Sequence, residues 1–466
     1  MLGEKRKGEI DEEILYKEVK DNAVSRSLKS SIKDGAAASV TTGLGDNFIS
    51  AYAIALGATN FQLSILSALP TLMPGEWLST KFMDKFSRKR IVLTGVLIQA
   101  ILWLPIALLS LLFLKDIKYA PLMLIIFYSV YMFSGFFFGP SWSSWMRDLT
   151  DGIERGSYFG RRNKILGIAG LTATVSAGLI LDWFKNRELV FVGFGMIFAI
   201  AGISRLISRH YLKQQYEPKL KLTEGYYFSF WQFLKKAPTN NYGRFAIFLA
   251  SMNFATAIAG PFFAPYLLKS LGFSYITFTI VNLIASTAAT LLVMPFWGRF
   301  NDYYGNVKTM QLTAFLVPVI PFLWLVSPSP YYLIGLQVFS GICWAGFNLA
   351  AGSFTYDAVT KPRMGLCVAY TGTLSSMGIF LGSVVGGLLA SYTTISMNIY
   401  LFVFVVSGLA RLTFAVLLSG KIKEVRPNIK PMKLHWKIWK PLDHTPFRRI
   451  GEITELPMHL LEKRRE

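Results

Sequence analysis

Twelve runs of apolar residues, each near the 20 or so needed to cross a hydrocarbon core, leave this chain little choice of fold. They cover residues 35–56, 61–83, 91–114, 122–145, 164–184, 189–211, 245–269, 275–297, 309–326, 332–356, 365–390 and 397–420, separated by short polar or Gly/Pro punctuation. Backbone groups in lipid find no water, so each run must satisfy its own hydrogen bonds as a helix. The alternating segments of about ten residues that build barrels do not fit runs this long. A mean hydropathy of +0.41 and 53% hydrophobic side chains exceed what a soluble domain carries. The expected fold class is therefore an all-α integral membrane protein with 12 transmembrane helices.

The net charge of +21 would suggest nucleic acid in a soluble protein, but the placement of the cations decides otherwise. With residue 1 inside, 41 of the 48 Lys and Arg fall on the cytoplasmic side. Five lie outside (Lys115, Lys118, Lys185, Arg187, Lys269) and two, Arg205 and Arg411, within spans. That asymmetry follows the positive-inside rule, puts both termini in the cytoplasm and removes the case for a nucleic-acid partner. Residues 1–34 are charged throughout and carry no secretory signal. Cys343 and Cys367 sit inside spans, so no disulfide framework is implied.

The chain also repeats itself. "STKFMDKFSRKR" (Ser79 to Arg90) returns as "WGRFNDYYGNVK" (Trp297 to Lys308), aligning Asp84 with Asp302 at an offset of 218 residues. Phe82 aligns with Phe300, Lys81 with Arg299, Phe86 with Tyr304 and Arg90 with Lys308. "GISRL" (Gly202 to Leu206) returns as "GLARL" (Gly408 to Leu412), so Arg205 and Arg411 are equivalent. Phe133 to Gly135 matches Phe339 to Gly341, Asp148 before Arg155 matches Asp357 before Arg363, and Leu56-Gly57 matches Leu271-Gly272. Six spans per copy is an even number, so the copies share topology and are related by an axis along the membrane normal, with a cavity where they meet. The expected organisation is an N-terminal tail (1–34), a first six-helix bundle (35–211), a linker (212–244), a second bundle (245–420) and a basic tail (421–466). Within the linker, "YYFSFWQFLKK" is either an amphipathic surface helix or a solvated connection.

Twelve spans in two halves, with an acid and clustered cations after the second and eighth, resemble the major facilitator superfamily of secondary transporters over Gly35 to Gly420. The superfamily's loop places glycines around the Asp and cations after it. The first copy keeps Asp84, Lys85, Arg88, Lys89 and Arg90 but has Thr80 and Ser87 for the glycines; the second keeps Gly298, Asp302 and Gly305 and only Lys308 of the cations. Read from the residues alone, this is a tight turn: Gly305 supplies a positive φ, Asp302 accepts backbone donors and Lys308 sits at the anionic lipid surface. The resemblance adds a latch. It implies that Asp84 meets Arg147 or Arg155 and the helix start near Gly365, with Asp302 mirroring it against Arg363 and the helix start near Lys164. Arg88, Arg90, Asp148 and Asp357 belong to the same implied gate.

Ionisable groups at membrane depth cost roughly 2.5 to 3.5 kcal/mol on insertion scales and are functional candidates. Asp46 lies roughly 16 Å along the first span and Glu76 roughly 12 Å above the turn of the second. At comparable depth, the two are candidates for proton coupling. Alternatively, Asp46 hydrogen-bonds Thr42 or Ser50 and Glu76 pairs with a cation. Arg205 and Arg411, near span ends, are expected to be structural, pairing with Asp148 and Asp357 or snorkelling to the surface.

The resemblance implies that spans 1, 4, 7 and 10 line the cavity. Asp46, Trp142, Trp145, Asn253, Thr256, Trp344 and Asn348 are the candidates there, an aromatic lining with a few amides suited to an organic solute. Gly378, Gly382 and Gly386, spaced by four, read as a close helix contact. The glycine-rich antiporter signature expected in span 5 lacks its Pro in "GIAGLTATVSAGLILDW", so direction is not legible. No nucleotide-binding loop occurs and the four histidines have no ligand spacing, so no enzyme, cofactor or metal is expected. The function expected is proton-coupled transport of a small organic solute by a monomer in the plasma membrane. A lipid flippase or a non-transporting sensor on the same scaffold is the alternative. Trp436 and Trp439 in the basic tail are expected either to touch anionic lipid or to be disordered.

Overall fold

The computed structural model describes residues 2–72, 82, 85–112, 119–150, 155–218, 228–360, 363–393 and 396–426. The described residues are helical with short connections, and ten of their helices are long and apolar enough to cross a membrane. Two expected spans fall outside that set. The first is a broken helix, and the second is described only as far as Leu72.

Helix α1, Leu2–Leu44, is 43 residues long and runs through the expected tail boundary at residue 34 into the first span. It breaks at Gly45, where any Cβ would strike the Trp103 indole, and resumes as a single turn, Asp46–Phe48, and α2, Ile49–Ala55. The break places Asp46 at the start of that turn rather than within a regular helix. Helix α3, Asn60–Ala68, opens with a capping box: the Thr59 hydroxyl accepts from Gln62 N–H while the Gln62 side chain accepts from Thr59 N–H.

The rest of the first half is α4 (Arg88–Leu112), α5 (Ala120–Leu149), α6 (Arg155–Lys185) and α7 (Val190–Lys213). The linker carries the short α8, Phe230–Lys236, with Ser229 and Gln232 as its capping box. Phe233 on its inner face packs on Tyr370 and Tyr242 while Trp231 is 74% exposed, so this part of the linker is a short helix with one face buried on the second half.

The second half opens with α9, Asn241–Ala259, which continues through short turns to Ser270. The next helical run, Tyr275 to Tyr304, loosens into a π segment at Thr279–Ile284 before α10, Ala285–Tyr304. Helices α11 (Asn306–Leu316), α12 (Pro330–Ala358), α13 (Met364–Tyr392) and α14 (Ile399–Leu418) complete it.

The pairing of these helices repeats. Helix α1 packs on α6 and α7, α4 on α5 and α7, and α3 on α5. In the second half α9 packs on α13 and α14, α11 on α12 and α14, and α10 on α12. Across the halves α3 meets α13, and α6 meets the Tyr275–Ile284 segment. The glycine stripe of α13 makes the closest helix contact: a Cβ on Gly378, Gly382 or Gly386 would collide with the carbonyls of Ala250, Phe254 and Ile258 on α9. Hydrophobic association is weak between helices in lipid, so backbone proximity of this kind supplies much of the packing.

Gly382→Ala should therefore cost about 1 to 3 kcal/mol by overpacking, seen as a lower melting temperature of the purified protein. Gly335→Ala, where a Cβ meets open space, should leave it unchanged.

Candidate functional site

At the end of the molecule where α7 and α14 finish, each half is tied by a strap that follows its last helix. Arg88, at the start of α4, is only 1% exposed. Its Nη1 donates to Asp148 Oδ2 at 2.6 Å and to Ser144 Oγ at 3.0 Å, and its Nη2 to the Pro218 carbonyl at 2.7 Å. The Glu217 carboxylate accepts from Lys89 N–H at 3.2 Å, seating an acid on the amino end of α4. Ser87, which stands where the repeat has Gly305, caps the same helix by accepting from Arg90 N–H at 3.2 Å.

The second half repeats the plan with different atoms. Gly305 takes φ +89°, as the turn requires, and Asn306 occupies the place of Arg88. The Asn306 amide donates to Asp357 Oδ2 at 2.7 Å, and Glu424 Oε2 accepts from Val307 N–H at 2.8 Å. Arg426 binds Asp357 at 2.6 Å and Asp302 at 3.3 Å. Burial works against the charge of Arg426, yet its bonds to Asp357 and Asp302 raise its pKa above the ordinary guanidinium value.

These contacts revise several expectations. Asp302 is 78% exposed and pairs with Arg426, and Asp357 also pairs with Arg426. Asp148 takes the buried Arg88 as its close partner, while Arg147, two-thirds exposed, approaches it at 3.7 Å. Arg90 is exposed and lies 5.4 Å over the Phe86 ring. Gly298 has open space beside it, and Lys308 lies in the first turn of α11. Glu76, Asp84, the Arg155 side chain, Trp436 and Trp439 lie outside the described residues. Sequence reasoning missed Glu217, Glu424 and Arg426. Their signal was a Glu within a few residues of a Pro just beyond spans six and twelve, in "YEPKL" and "KEVRPN".

Polar contacts join the halves at the opposite end and also farther along α13, where the Thr71 hydroxyl donates to the Ser376 carbonyl at 3.3 Å. The Asp182 carboxylate, near the end of α6, accepts from Tyr275 N–H at 2.6 Å and Ile276 N–H at 2.9 Å, capping the helix that leads into α10. Gly178, one turn back, permits this approach: a Cβ there would lie 2.7 Å from Thr279 Oγ1. On the other flank the Asn60 amide donates to the Ala390 carbonyl at 3.0 Å, Tyr400 bonds Asn60 at 3.1 Å, and Gly387 packs on Ser64.

Between the two ends lie two cavities, of about 440 Å³ and 360 Å³. Arg205 lines both. It was expected to pair with Asp148 or reach the surface; instead it is 9% exposed and turned inward. Its Nε donates to Gln99 Oε1 at 2.8 Å and its Nη1 to Ser208 Oγ at 3.2 Å. Ser208 in turn donates to Asp34 Oδ1 at 2.6 Å. The Gln99 amide donates to the Tyr131 carbonyl at 3.1 Å, and the Tyr131 hydroxyl to Asp46 Oδ2 at 3.3 Å. A chain of polar groups thus links two carboxylates twelve positions apart on one strand of the fold. Asp46 lines the smaller cavity, with Thr42, one of its expected partners, acting on the carboxylate and Oδ1 itself buried.

Arg411, the repeat equivalent of Arg205, is also buried but has no carboxylate among the described residues. It donates to the Val317 carbonyl at 3.5 Å, at the position matching Gln99.

Of the expected cavity residues, Asp46 and Trp142 line these spaces. Trp145 does not: its indole is fully buried and donates to the Tyr216 carbonyl at 2.7 Å, holding the strap beside Glu217. Asn253, Thr256, Trp344 and Asn348 line neither cavity, and the Thr256 hydroxyl is bound to Met252 of its own helix.

A family model described as Major Facilitator Superfamily matches residues 243–453. A curated relative, the multi-drug resistance efflux pump PmrA homolog of Lactococcus lactis subsp. lactis, is 27% identical over 154 residues. That match covers 32% of this chain and 37% of the relative. Among solved structures, a D-xylose-proton symporter superposes with a TM-score of 0.64 at 12% identity, covering 87% of this chain and 99% of that one. The nucleoside transporter NupG gives 0.59 at 15% identity over 86% and 99%. A bacterial homologue of the lysosomal transporter Spinster, inward-facing and unoccupied, gives 0.59 at 14% identity over 86% and 96%. At such identities the structures establish a shared fold.

Removing the Arg88 guanidinium takes from Asp148 its 2.6 Å partner, leaving it the exposed Arg147 at 3.7 Å, and takes a donor from the Pro218 carbonyl. Arg88→Gln should destabilise the protein by roughly 3 to 5 kcal/mol, the cost of breaking a buried ion pair. Arg90→Gln should stay within about 0.5 kcal/mol, as surface changes do, and thermal unfolding in detergent measures both.

Proposed function

Because the chain belongs to the major facilitator superfamily of membrane transporters, we propose that it carries a small organic solute by alternating access, coupled to protons through Asp46. In this reading the halves 35–211 and 245–420 rock about the cavities, with both termini in the cytoplasm and the protein a monomer in the plasma membrane. The joined end at Asp182 is then the external side. The straps at Arg88–Asp148–Glu217 and Arg426–Asp302–Asp357 brace the cytoplasmic ends of each half, where Asp84 would act as the gate acid. The likeness to an inward-facing transporter supports this orientation.

The observation that supports the coupling is the place of the Asp46 carboxyl on the wall of the smaller cavity. One carboxylate oxygen takes the Tyr131 hydroxyl, the Thr42 hydroxyl also acts on the group, and no cation is bonded to it among the described residues. An acid beside a cavity, with hydroxyl partners and no bonded cation among the described residues, can take up a proton. Arg205, two links away through Gln99 and Tyr131, gives it a cation whose position can respond to that exchange. The break at Gly45 matters here because it lets the Asp46 turn deviate from the helix axis and face the cavity.

Reconstituted into vesicles, the Asp46→Asn variant should lose concentrative, pH-gradient-driven transport by at least about tenfold, since it removes the proton acceptor. It should retain solute exchange without a gradient, because the cavity itself is unchanged. Undiminished gradient-driven accumulation would place the coupling group elsewhere.

A further inference from the structure

We propose that the larger cavity binds a solute with an anionic head, a carboxylate or phosphate, on an apolar body, and that Arg162 is the residue that selects it. The inference deepens the transporter reading by naming the class of solute.

Arg162 commits only one of its three guanidinium nitrogens to a described residue. The side chain, on the inner face of α6, is 7% exposed and lines the cavity of about 440 Å³. Its Nε donates to the Ser31 carbonyl at 3.3 Å, which fixes the direction of the guanidinium. The planar group lies 5.1 Å over the Trp142 ring, so it is held from below by an aromatic face. Neither terminal nitrogen donates to any described residue, and neither is a sealed, unpaired atom; both open toward the cavity. Arg205 is in the same condition on the adjoining wall, with Nε and Nη1 committed and Nη2 without a partner among the described residues.

The charges facing this cavity are Arg162, Arg205 and Asp34, and Asp34 already accepts from Ser208. The balance is one positive charge in a nine-tenths buried setting, with donors left over and few acceptors to offer. A forked guanidinium with a fixed Nε matches a carboxylate or phosphate in a way that a point charge does not. An ammonium head would meet two cations and one occupied acid. The remaining wall is apolar, with Phe138 and Trp142 on one side and Leu171 and Leu291 on the other, the last from α10 across the halves. The ligand would thus touch both halves at once, as a solute that reports to both must. The volume suits a small amphiphile and is too small to enclose a two-chain lipid.

Sequence alone hid the site because Arg161 and Arg162 look alike. Only the helix rotation sends Arg162 inward and leaves Arg161 exposed.

The test measures binding, independent of transport, by thermal stabilisation of the purified full chain with three matched probes: 4-phenylbutyrate, 4-phenylbutylamine and 4-phenylbutyramide. The butyrate should stabilise the protein and the other two should not. Arg162→Gln should weaken the butyrate by about tenfold or more, as loss of charge-assisted bonds does. Arg162→Lys should recover part of it, and Arg161→Gln should behave as the unmodified chain. Phosphatidylglycerol added to neutral micelles separates the two sources of an anionic head. Competition with the butyrate at Arg162 would mean that a lipid headgroup enters the same pocket, which still supports an anion site. Stabilisation by the amine, a butyrate effect that Arg162→Gln leaves intact, or no stabilisation by any anionic probe would overturn the proposal. Gradient-driven transport of some cationic or neutral solute, observed alongside any of these, would leave the transporter reading standing.

Discussion

The bond between the Asp182 carboxylate and the first two N–H groups of the helix leading into α10 is the constraint on which the arrangement of the halves rests. A helix amino end carries unpaired donors and partial positive charge, and an acid there makes two charge-assisted bonds at once. It forms because Gly178, one turn earlier, lets α6 approach Thr279 without a side chain between them. The matching junction on the other flank uses a neutral amide, Asn60, on the Ala390 carbonyl. Equivalent joints therefore differ in strength, and the stronger one sits beside the cavity wall formed by α6 and α10.

The two halves share a scaffold but not a charge distribution. Each has a glutamate after its last helix seated on the amino end of its third, and each buries an arginine in its sixth. In the first half that arginine is answered by Gln99, Ser208 and, through Ser208, Asp34. In the second it has the Val317 carbonyl, and Arg411 faces no acid among the described residues. A buried charge away from any acid is costly, and the Val317 carbonyl is the acceptor that Arg411 has among the described residues. Four charged side chains of the first half, Asp34, Asp46, Arg162 and Arg205, border the two cavities, which share Arg205.

Much of the scaffold was legible from residues alone. Length and hydropathy announced the helices, and the 218-residue offset between the two loops announced the repeat, because turns that re-enter a membrane must solve the same geometric problem twice. Gly305 and the α13 glycine stripe were read correctly for the same reason: only glycine meets those steric demands. The site was less legible. Arg205 looked close enough to a span end to snorkel, but Gln99 from α4 and Ser208 one turn along turn it inward, and neither partner is apparent without knowing which helices touch. Trp145 looked like a cavity aromatic because helical spacing cannot tell an inward face from the strap side. Arg162 and Asp182 were passed over because each sits at a span end, where charge is ordinary.

The account stands on the two halves moving as units about the cavities, with Asp182 holding one end shut. Spin labels at Asn186 and Ser391, exposed at the joined end, and at Lys164 and Thr360, exposed at the other, report both ends. Pulsed electron resonance on the full chain in lipid nanodiscs, with and without Asp182→Ala, reads the distances. The account predicts that the substitution lengthens the first distance in part of the population and shortens the second in the same proportion. A change confined to one end, or none at either, would contradict it.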